Sequence, residues 1–377
     1  MKYFISAGEA SGDLHAAQVM AALARRDSNA TFEFLGGEKM KQASGQDPLI
    51  HIDDMSVMGF GEVIRRLPRI FRQLKKTKDA IATMKPDAVV LVDYPSFNLK
   101  IAKYAKSLGL KVFWYVSPKV WVWKEHRVKA LKQWVDRMYC ILPFEVDWYK
   151  DRHDWDVSYV GNPSAEEIKA LTFPTDKDAR ETFLHKYKLT SARPLMALLP
   201  GSRVKEIKSN LPIMVEVARR FPHFAPAIAT VPGITRTLYD SLRDGIQLVD
   251  DTYDLLHYSE AALVTSGTAT LETALLKVPQ VMMYRHSGSR LMYALFRRFL
   301  KVDWFSLPNL INDKESVSEL VMHFCTPDAV SARFAEIIPG GAHHNRQQKD
   351  YELLRERLGD SEPSVKVAED ILKRMKN

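Results

Sequence analysis

Four short stretches of the 377-residue chain concentrate the residue types that carry out chemistry. The first is SAGEASGD at 6–13, where Gly8 and Gly12 stand among Ser6, Glu9, Ser11 and Asp13 directly after the apolar run YFI. A glycine-bearing turn between a strand and a helix is a common phosphate site. The spacing here matches neither GxGxxG nor GxxxxGK followed by Ser or Thr. Two readings stay open: a phosphate cradle, or a tight turn whose Asp13 or Ser11 caps a helix beginning near Leu14. Glu9 would repel a phosphate, and a loop that binds hydroxyl groups suits it better than either.

The second stretch, AVVLVDYPSFN, ends an apolar run on Asp93, with Pro95 breaking the strand just beyond. Burial at a strand end raises a carboxylate's pKa and favours a general base; a turn or helix-cap aspartate is the plainer alternative. In the third, LLPGSRVKEIK, Gly201 and Ser202 follow a strand, and Arg203 and Lys205 come at once. Turn amides, a helix N-terminus and an arginine fork together suit a diphosphate, against a surface turn with solvated bases. The fourth, ALVTSGTATLETALL, offers Ser266, Gly267, Thr268 and Thr270 at a helix start, with Glu272 in the first turn. Hydroxyls and amides suit phosphate and the carboxylate suits a ribose diol; a capping box from Glu272 to Thr268 or Ser266 is the alternative.

These loops need strands to hold them, and the sequence supplies strands in two series. YFIS, TFEFLG, AVVLVD, KVFWYVS, RMYCIL and VSYVG lie before residue 162, and LMALLP, FAPAIATV, IQLVDD, AALVTSG and QVMMYR after 194. Continuous apolar runs separated by amphipathic helices predict parallel sheets covered on both faces. The polar span 162–194, with Pro163, Pro174 and Pro194, reads as a linker and an entry helix. The expected α/β architecture is therefore two Rossmann-like, doubly wound domains, 1–165 and 166–354, facing each other across a cleft. Beyond about residue 315 the pattern reads as purely helical.

A 46% apolar and 27% charged composition fits a globular enzyme and excludes a disordered or fibrous chain. Cys140 and Cys325, in apolar contexts without CxxC spacing, suggest two buried thiols and neither a zinc site nor a disulfide framework. Met1-Lys2 leads straight into a strand-like run and no long apolar span follows, so neither a secretory signal nor a membrane-spanning helix is expected. The net charge of +8 permits nucleic acid, an anionic membrane or a phosphorylated small molecule as partner. MGFGEVIRRLPRIFRQLKKTK places Phe60, Ile64, Leu67 and Phe71 at helical spacing among seven basic residues, with Pro68 expected to break or kink the helix. Together with SRLMYALFRRFLK at 289–301 it balances an anionic bilayer contact against an ordinary core-facing helix.

Six segments in order, AGEASGD, VLVDYPSFN, VSPKVWVWKEHRVK, LLPGSR, SGTATLE and SLPNL, resemble the lipid-A-disaccharide synthases, inverting glycosyltransferases of the two-domain GT-B architecture. They run from the amino terminus to about residue 310. The resemblance implies transfer of 2,3-diacylglucosamine from its UDP derivative to the 6-hydroxyl of 2,3-diacylglucosamine 1-phosphate. It implies Asp93 as general base, with Gly201, Ser202 and Arg203 on the diphosphate, and Ser266, Gly267 and Thr268 adding donors. Glu272 would sit on the ribose, while Gly8, Glu9, Ser11, Gly12, Asn98, Ser117 and Asn309 would line the substrate site. It further implies no cofactor or metal, no nucleic acid, and a cytoplasmic enzyme resting on the inner leaflet, with a homodimer left open. By the same analogy a helix at about 355–377 packs back on the first domain. The chain departs from the family pattern at Asn162 and Glu319. The alternatives are a GT-B relative acting on unacylated UDP-N-acetylglucosamine, as transferase or 2-epimerase, and a non-enzymatic peripheral membrane protein.

Overall fold

The computed structural model describes residues 1–55, 60–174, 177–190, 192–285 and 302–376, with side chains in the helix Phe60–Met84 described from residue 67. The chain divides into two compact units, Met1–Glu166 with Asp360–Asn377, and Glu167–Gly359.

The first unit is built on seven parallel strands: β1 (Lys2–Ala7), β2 (Thr31–Gly36), β3 (Ile50–His51), β4 (Ala88–Val92), β5 (Lys111–Tyr115), β6 (Arg137–Cys140) and β7 (Ser158–Tyr159). Their spatial order is β3-β2-β1-β4-β5-β6-β7. The second unit has six parallel strands: β8 (Leu195–Leu199), β9 (Ala225–Ala229), β10 (Gln247–Val249), β11 (Ser259–Thr265), β12 (Gln280–Tyr284) and β13 (Ser318–Val321). Their order, β10-β9-β8-β11-β12-β13, repeats that of the first sheet. Every residue of β4 and of β8 is buried, because helices cover both faces of each sheet. Cys140 and Cys325 are both buried, and no described helix is long and apolar enough to cross a membrane.

The closing helix Pro363–Lys376 packs on the helix Ala10–Arg26. Val367, Ala368 and Ile371 are fully buried in the same cluster as Tyr3, Ile5, Ala16 and Met20. The hydroxyl of Tyr139, on β6, donates to Asp370 at 2.9 Å. Ile371→Ala should therefore destabilise the first unit by about 2–5 kcal/mol, the usual range for truncating a fully buried aliphatic side chain. Thermal unfolding checks this; a melting temperature unchanged from the wild type would place the helix outside the core.

Two strands were not expected. β3 is two residues long, and β13 (SELV) interrupts a region that reads as wholly helical. Both are edge strands, each paired on one side only, and such short edges need no apolar run to hold them. The helix Phe60–Met84 runs continuously through Pro68, so of the expected break or kink the break does not occur. On it Leu67 is 40% and Phe71 57% exposed, and the Lys100 ammonium sits 5.3 Å from the Phe71 ring centre. The Phe60 and Ile64 side chains and the run 289–301 lie outside the described residues.

Candidate active site

In an open parallel sheet, ligands bind beyond the carboxyl ends of the strands where the strand order reverses. In the first unit that switch falls between the adjacent strands β1 and β4, and in the second between β8 and β11. The four chemistry-bearing loops follow these four strands. Strand pairing, Ala7 beside Val92 and Leu199 beside Val264, thus brings SAGEASGD to the Asp93 turn and LPGSR to SGTATLE.

At the first switch the backbone is strained. Asp93, Tyr94 and Val116 have φ of 45°, 48° and 65°, a left-handed conformation that costs non-glycine residues of order 1–3 kcal/mol each and concentrates at functional sites. The strain is held by buried bonds. Ser6 Oγ donates to Asn98 Oδ1 at 2.7 Å, and Asn98 Nδ2 donates to the Asp93 carbonyl at 2.9 Å and to those of Ser6 and Val92 at 3.3 Å. The Asp93 amide donates to Tyr115 at 3.0 Å. Gly8 leaves room for the Tyr94 ring, since a Cβ there would lie 2.3 Å from its Cγ. The Tyr94 hydroxyl donates to the Met55 carbonyl at 3.3 Å.

The Asp93 carboxyl is half-buried. Desolvation, and then the charge of Glu9, push its pKa up to about 6, against the opposing pull of Lys119 and the Tyr94 amide. Glu9 is exposed at the N-cap of the helix Ala10–Arg26 and makes no capping bond. That helix begins four residues ahead of the expected Leu14, so Ser11 (exposed) and Gly12 (buried) lie in its first turn. Asp13 does cap a helix, but a different one. Its carboxylate accepts the amides of Gly37, Lys39 and Met40, at 2.6, 3.0 and 3.2 Å, at the start of Glu38–Ser44.

At the second switch Gly201 has φ 113°, and a Cβ on it would lie 2.7 Å from that of Glu206. Glu206 Oε2 accepts the Ser202 and Arg203 amides at 3.1 and 3.2 Å, and Oε1 accepts Arg203 Nη1 at 3.1 Å. The turn amides expected to meet a diphosphate are thus engaged by a carboxylate, and the Arg203 side chain, 67% exposed, is the group left reaching outward. In the neighbouring loop Ser266 is half-buried, while Gly267 and Thr268 are exposed at the start of Thr268–Leu275. The N-cap Gly267 has φ 153° and no side-chain capping bond forms, so the alternative of a Glu272 capping box does not hold. Burial, and then the nearby charge of Glu167, lift the Glu272 pKa to about 7. Glu167 in turn accepts the Tyr253 hydroxyl.

Three expected contact residues face inward instead. Asn309 is fully buried. Its Nδ2 donates to the Val317 carbonyl and to Glu319 Oε1, and its Oδ1 accepts the Ser316 and Val317 amides, all at 2.8 Å. Asn98 is equally buried and bonded at both ends, and the buried Ser117 hydroxyl pairs with that of Tyr149 at 3.0 Å. Buried groups bonded in this way hold the backbone of their own loops in place. The two departures from the family pattern have the same character. Glu319 also accepts the amides of Phe305 and Ser306, and Asn162 caps Pro163–Ala170 by accepting the Ser164 amide at 3.0 Å.

Sequence reasoning missed Glu167, Tyr253, Glu206 and Lys119. Tyr253 and Lys119 lie just beyond the strand runs IQLVDD and KVFWYVS, so the strand-end rule reaches them; Glu167 hides in a span read as linker.

Two Rossmann-like units in this chain order define the GT-B class. A UDP-GlcNAc 2-epimerase from Neisseria meningitidis, solved bound to UDP-GlcNAc, superposes with a TM-score of 0.66 at 11% identity, covering 100% of both chains. A calicheamicin glycosyltransferase superposes at 0.62 and 13% identity, covering 99% of this chain and 98% of its own. At such identities the likeness shows the fold alone. The sequence goes further: the family model for lipid-A-disaccharide synthetase matches residues 3–372. The lipid-A-disaccharide synthase of Myxococcus xanthus is 38% identical over 98% of this chain and 97% of its own, and that of Syntrophus aciditrophicus 35% over 94% and 93%. The chain belongs to the lipid-A-disaccharide synthetase family, and is accordingly a glycosyltransferase.

Proposed function

We propose that the enzyme transfers 2,3-diacylglucosamine from its UDP derivative to the 6-hydroxyl of 2,3-diacylglucosamine 1-phosphate. The products are the β-1,6-linked disaccharide 1-phosphate of lipid A synthesis and UDP. The family match, not the fold, separates this reading from a 2-epimerase.

The observation that carries the mechanism is Asp93, a strand-end carboxyl in a strained turn whose pKa stands at about 6. Such a group is ionised at neutral pH yet basic enough to take a proton from a sugar hydroxyl as it attacks the anomeric carbon. In this reading Met1–Glu166 forms the acceptor unit, where Gly8, Glu9, Ser11 and Gly12 seat the sugar, and Glu167–Gly359 binds the donor. Arg203 holds the diphosphate and stabilises the departing UDP, aided by Ser266, Gly267 and Thr268. Glu272 accepts from the ribose diol. Positioned cations and helix N-terminal amides supply what a divalent metal supplies elsewhere. Exposed Leu67 and Phe71 on a basic helix support peripheral contact with the cytoplasmic face of an anionic membrane, where both acylated substrates reside.

The decisive assay measures UDP release with donor and acceptor each omitted in turn; equal release without the acylated acceptor would refute the transfer. The pH dependence is a second expected outcome. Only ionised Asp93 accepts the proton, so kcat/KM should fall about tenfold per pH unit below about 6. A rate flat from pH 7 to 5 would remove Asp93 from the role of base.

A further inference from the structure

The turn that follows β5 is anchored by a carboxylate to which the reaction gives no part. Glu145 is almost wholly buried, a place where a glutamate is rare unless its oxygens are paired. Both are paired here. Trp121 Nε1 donates to Oε1 at 3.0 Å, and the Leu142 amide donates to Oε2 at 3.1 Å. The Trp121 ring is itself buried and stands edge-on to Phe144, with ring centres 5.0 Å apart. The other end of the turn is tied as well. Trp114 Nε1 donates to the Val116 carbonyl at 3.2 Å, and the Ser117 hydroxyl pairs at 3.0 Å with that of Tyr149, on the same helix as Glu145. Between these anchors the chain is tight, since the Val120 amide donates to the Pro118 carbonyl at 2.6 Å. Lys119, the residue enclosed, is exposed.

This turn lies beside that of Asp93. Val92 pairs with Tyr115 across β4 and β5, and the Asp93 amide donates to the Tyr115 carbonyl. The charges that reach Asp93 are those of Glu9 and Lys119, with Tyr94 next in the chain. Glu145 is faced by Lys119, by Cys140 at the end of β6, by Tyr149 on its own helix and by Tyr159 on β7. Lys119 is common to the two carboxyl groups, so Glu145 acts on Asp93 through the turn that carries this lysine.

We propose that Glu145 is a positioning residue for the reaction: by holding Trp121 it fixes the turn that keeps the Lys119 ammonium beside Asp93. The proposal rests on the function proposed above, in which Asp93 is the base. A lysine on a loose, exposed loop spreads its charge through solvent, where salt screens it. On an anchored turn the same charge stays near one carboxyl. Trp121 transmits the constraint, because it lies two residues from Lys119 and its ring cannot leave without taking a donor from a buried carboxylate.

The test uses the full chain with Glu145→Gln and, separately, Trp121→Phe, which keeps an aromatic ring against Phe144; circular dichroism verifies both folds. The Asp93 carboxyl, followed by carbon-13 NMR and assigned with Asp93→Asn, should titrate about 0.5–1 pH unit higher in each variant, less than a charge in direct contact supplies. Lys119→Met should act in the same direction, and in its background neither change should displace the titration further. The acidic limb of the kcat/KM profile should move with the carboxyl. An Asp93 titration left in place by both variants, or displaced equally with and without Lys119, overturns the proposal. So does a displacement to lower pH by Glu145→Gln, which would mean that Glu145 draws the ammonium away from Asp93. Failure of the base assignment shows separately: the carboxyl then titrates higher in the variants while the rate profile stays in place, which upholds the clamp and removes Asp93 from the chemistry.

Discussion

Replacing Asp93 by Asn should lower kcat by about 10²–10⁴-fold, the usual contribution of a positioned general base, while leaving the donor KM within a few-fold. Asn fills the same space and retains a carbonyl oxygen for the Tyr94 amide, so the strained turn stays supported by Asn98 and Tyr115. What disappears is the proton acceptor. Equal losses in kcat and donor binding would demote Asp93 to a binding residue. Its neighbours give a sharper readout than activity alone. Burial is the largest cause of its raised pKa, Glu9 adds to it and Lys119 opposes it. Lys119→Met should therefore move the acidic limb of the pH–rate profile to higher pH, and Glu9→Gln should move it to lower pH. Residues that merely support the fold would lower the rate without moving the limb.

Arg203→Ala should raise the donor KM by about 10- to 100-fold, in line with roughly 1.5–3 kcal/mol for a hydrogen bond to a charged group. The Ser202 and Arg203 amides are engaged by Glu206, so the exposed guanidinium, held at one nitrogen by the same carboxylate, is the group with donors left over for a diphosphate. Glu206→Gln separates two accounts of that carboxylate. If Glu206 holds Arg203 in place for the donor, the glutamine variant should bind donor more weakly, because its neutral amide no longer anchors the guanidinium. If the carboxylate competes with the diphosphate for the same donors, the variant should bind donor more tightly. An Arg203→Ala enzyme with unchanged donor KM would move the diphosphate site away from LPGSR altogether.

The strand framework and the placing of the four loops were legible because parallel strands buried on both faces must be continuously apolar, as AVVLV and LMALL are. Once the strands are known, the rule of carboxyl ends points to Asp93, Arg203 and Ser266 without further information. Polar residues inside the motifs were less legible. Asn98, Ser117 and Asn309 stand in motifs that also hold candidate ligand residues, yet each is buried with its bonds satisfied inside the fold. A motif shows that a polar side chain is needed, and only the packing shows whether it faces a ligand or its own loop. Distant partners were not legible at all. Glu145 is almost wholly buried and accepts Trp121 Nε1 at 3.0 Å and the Leu142 amide at 3.1 Å. That clamp on the VWVW turn exists only after β5 and β6 lie side by side. The Glu167–Glu272 pair likewise forms from segments a hundred residues apart, and no local pattern encodes it.

The placement of the last helix has a consequence for synthesis. Residues Glu167–Gly359 are continuous, and that unit has all its parts once they leave the ribosome. The unit that begins the chain has no such independence, because its core includes Val367, Ala368 and Ile371. Although translated first, it is completed last, after the whole of its neighbour has been made. Until then the apolar face of the helix Ala10–Arg26, with Ala16 and Met20, lacks its cover. A ribosome stalled after residue 359 would thus release a chain with one finished half and one exposing an adhesive surface, a natural substrate for chaperones.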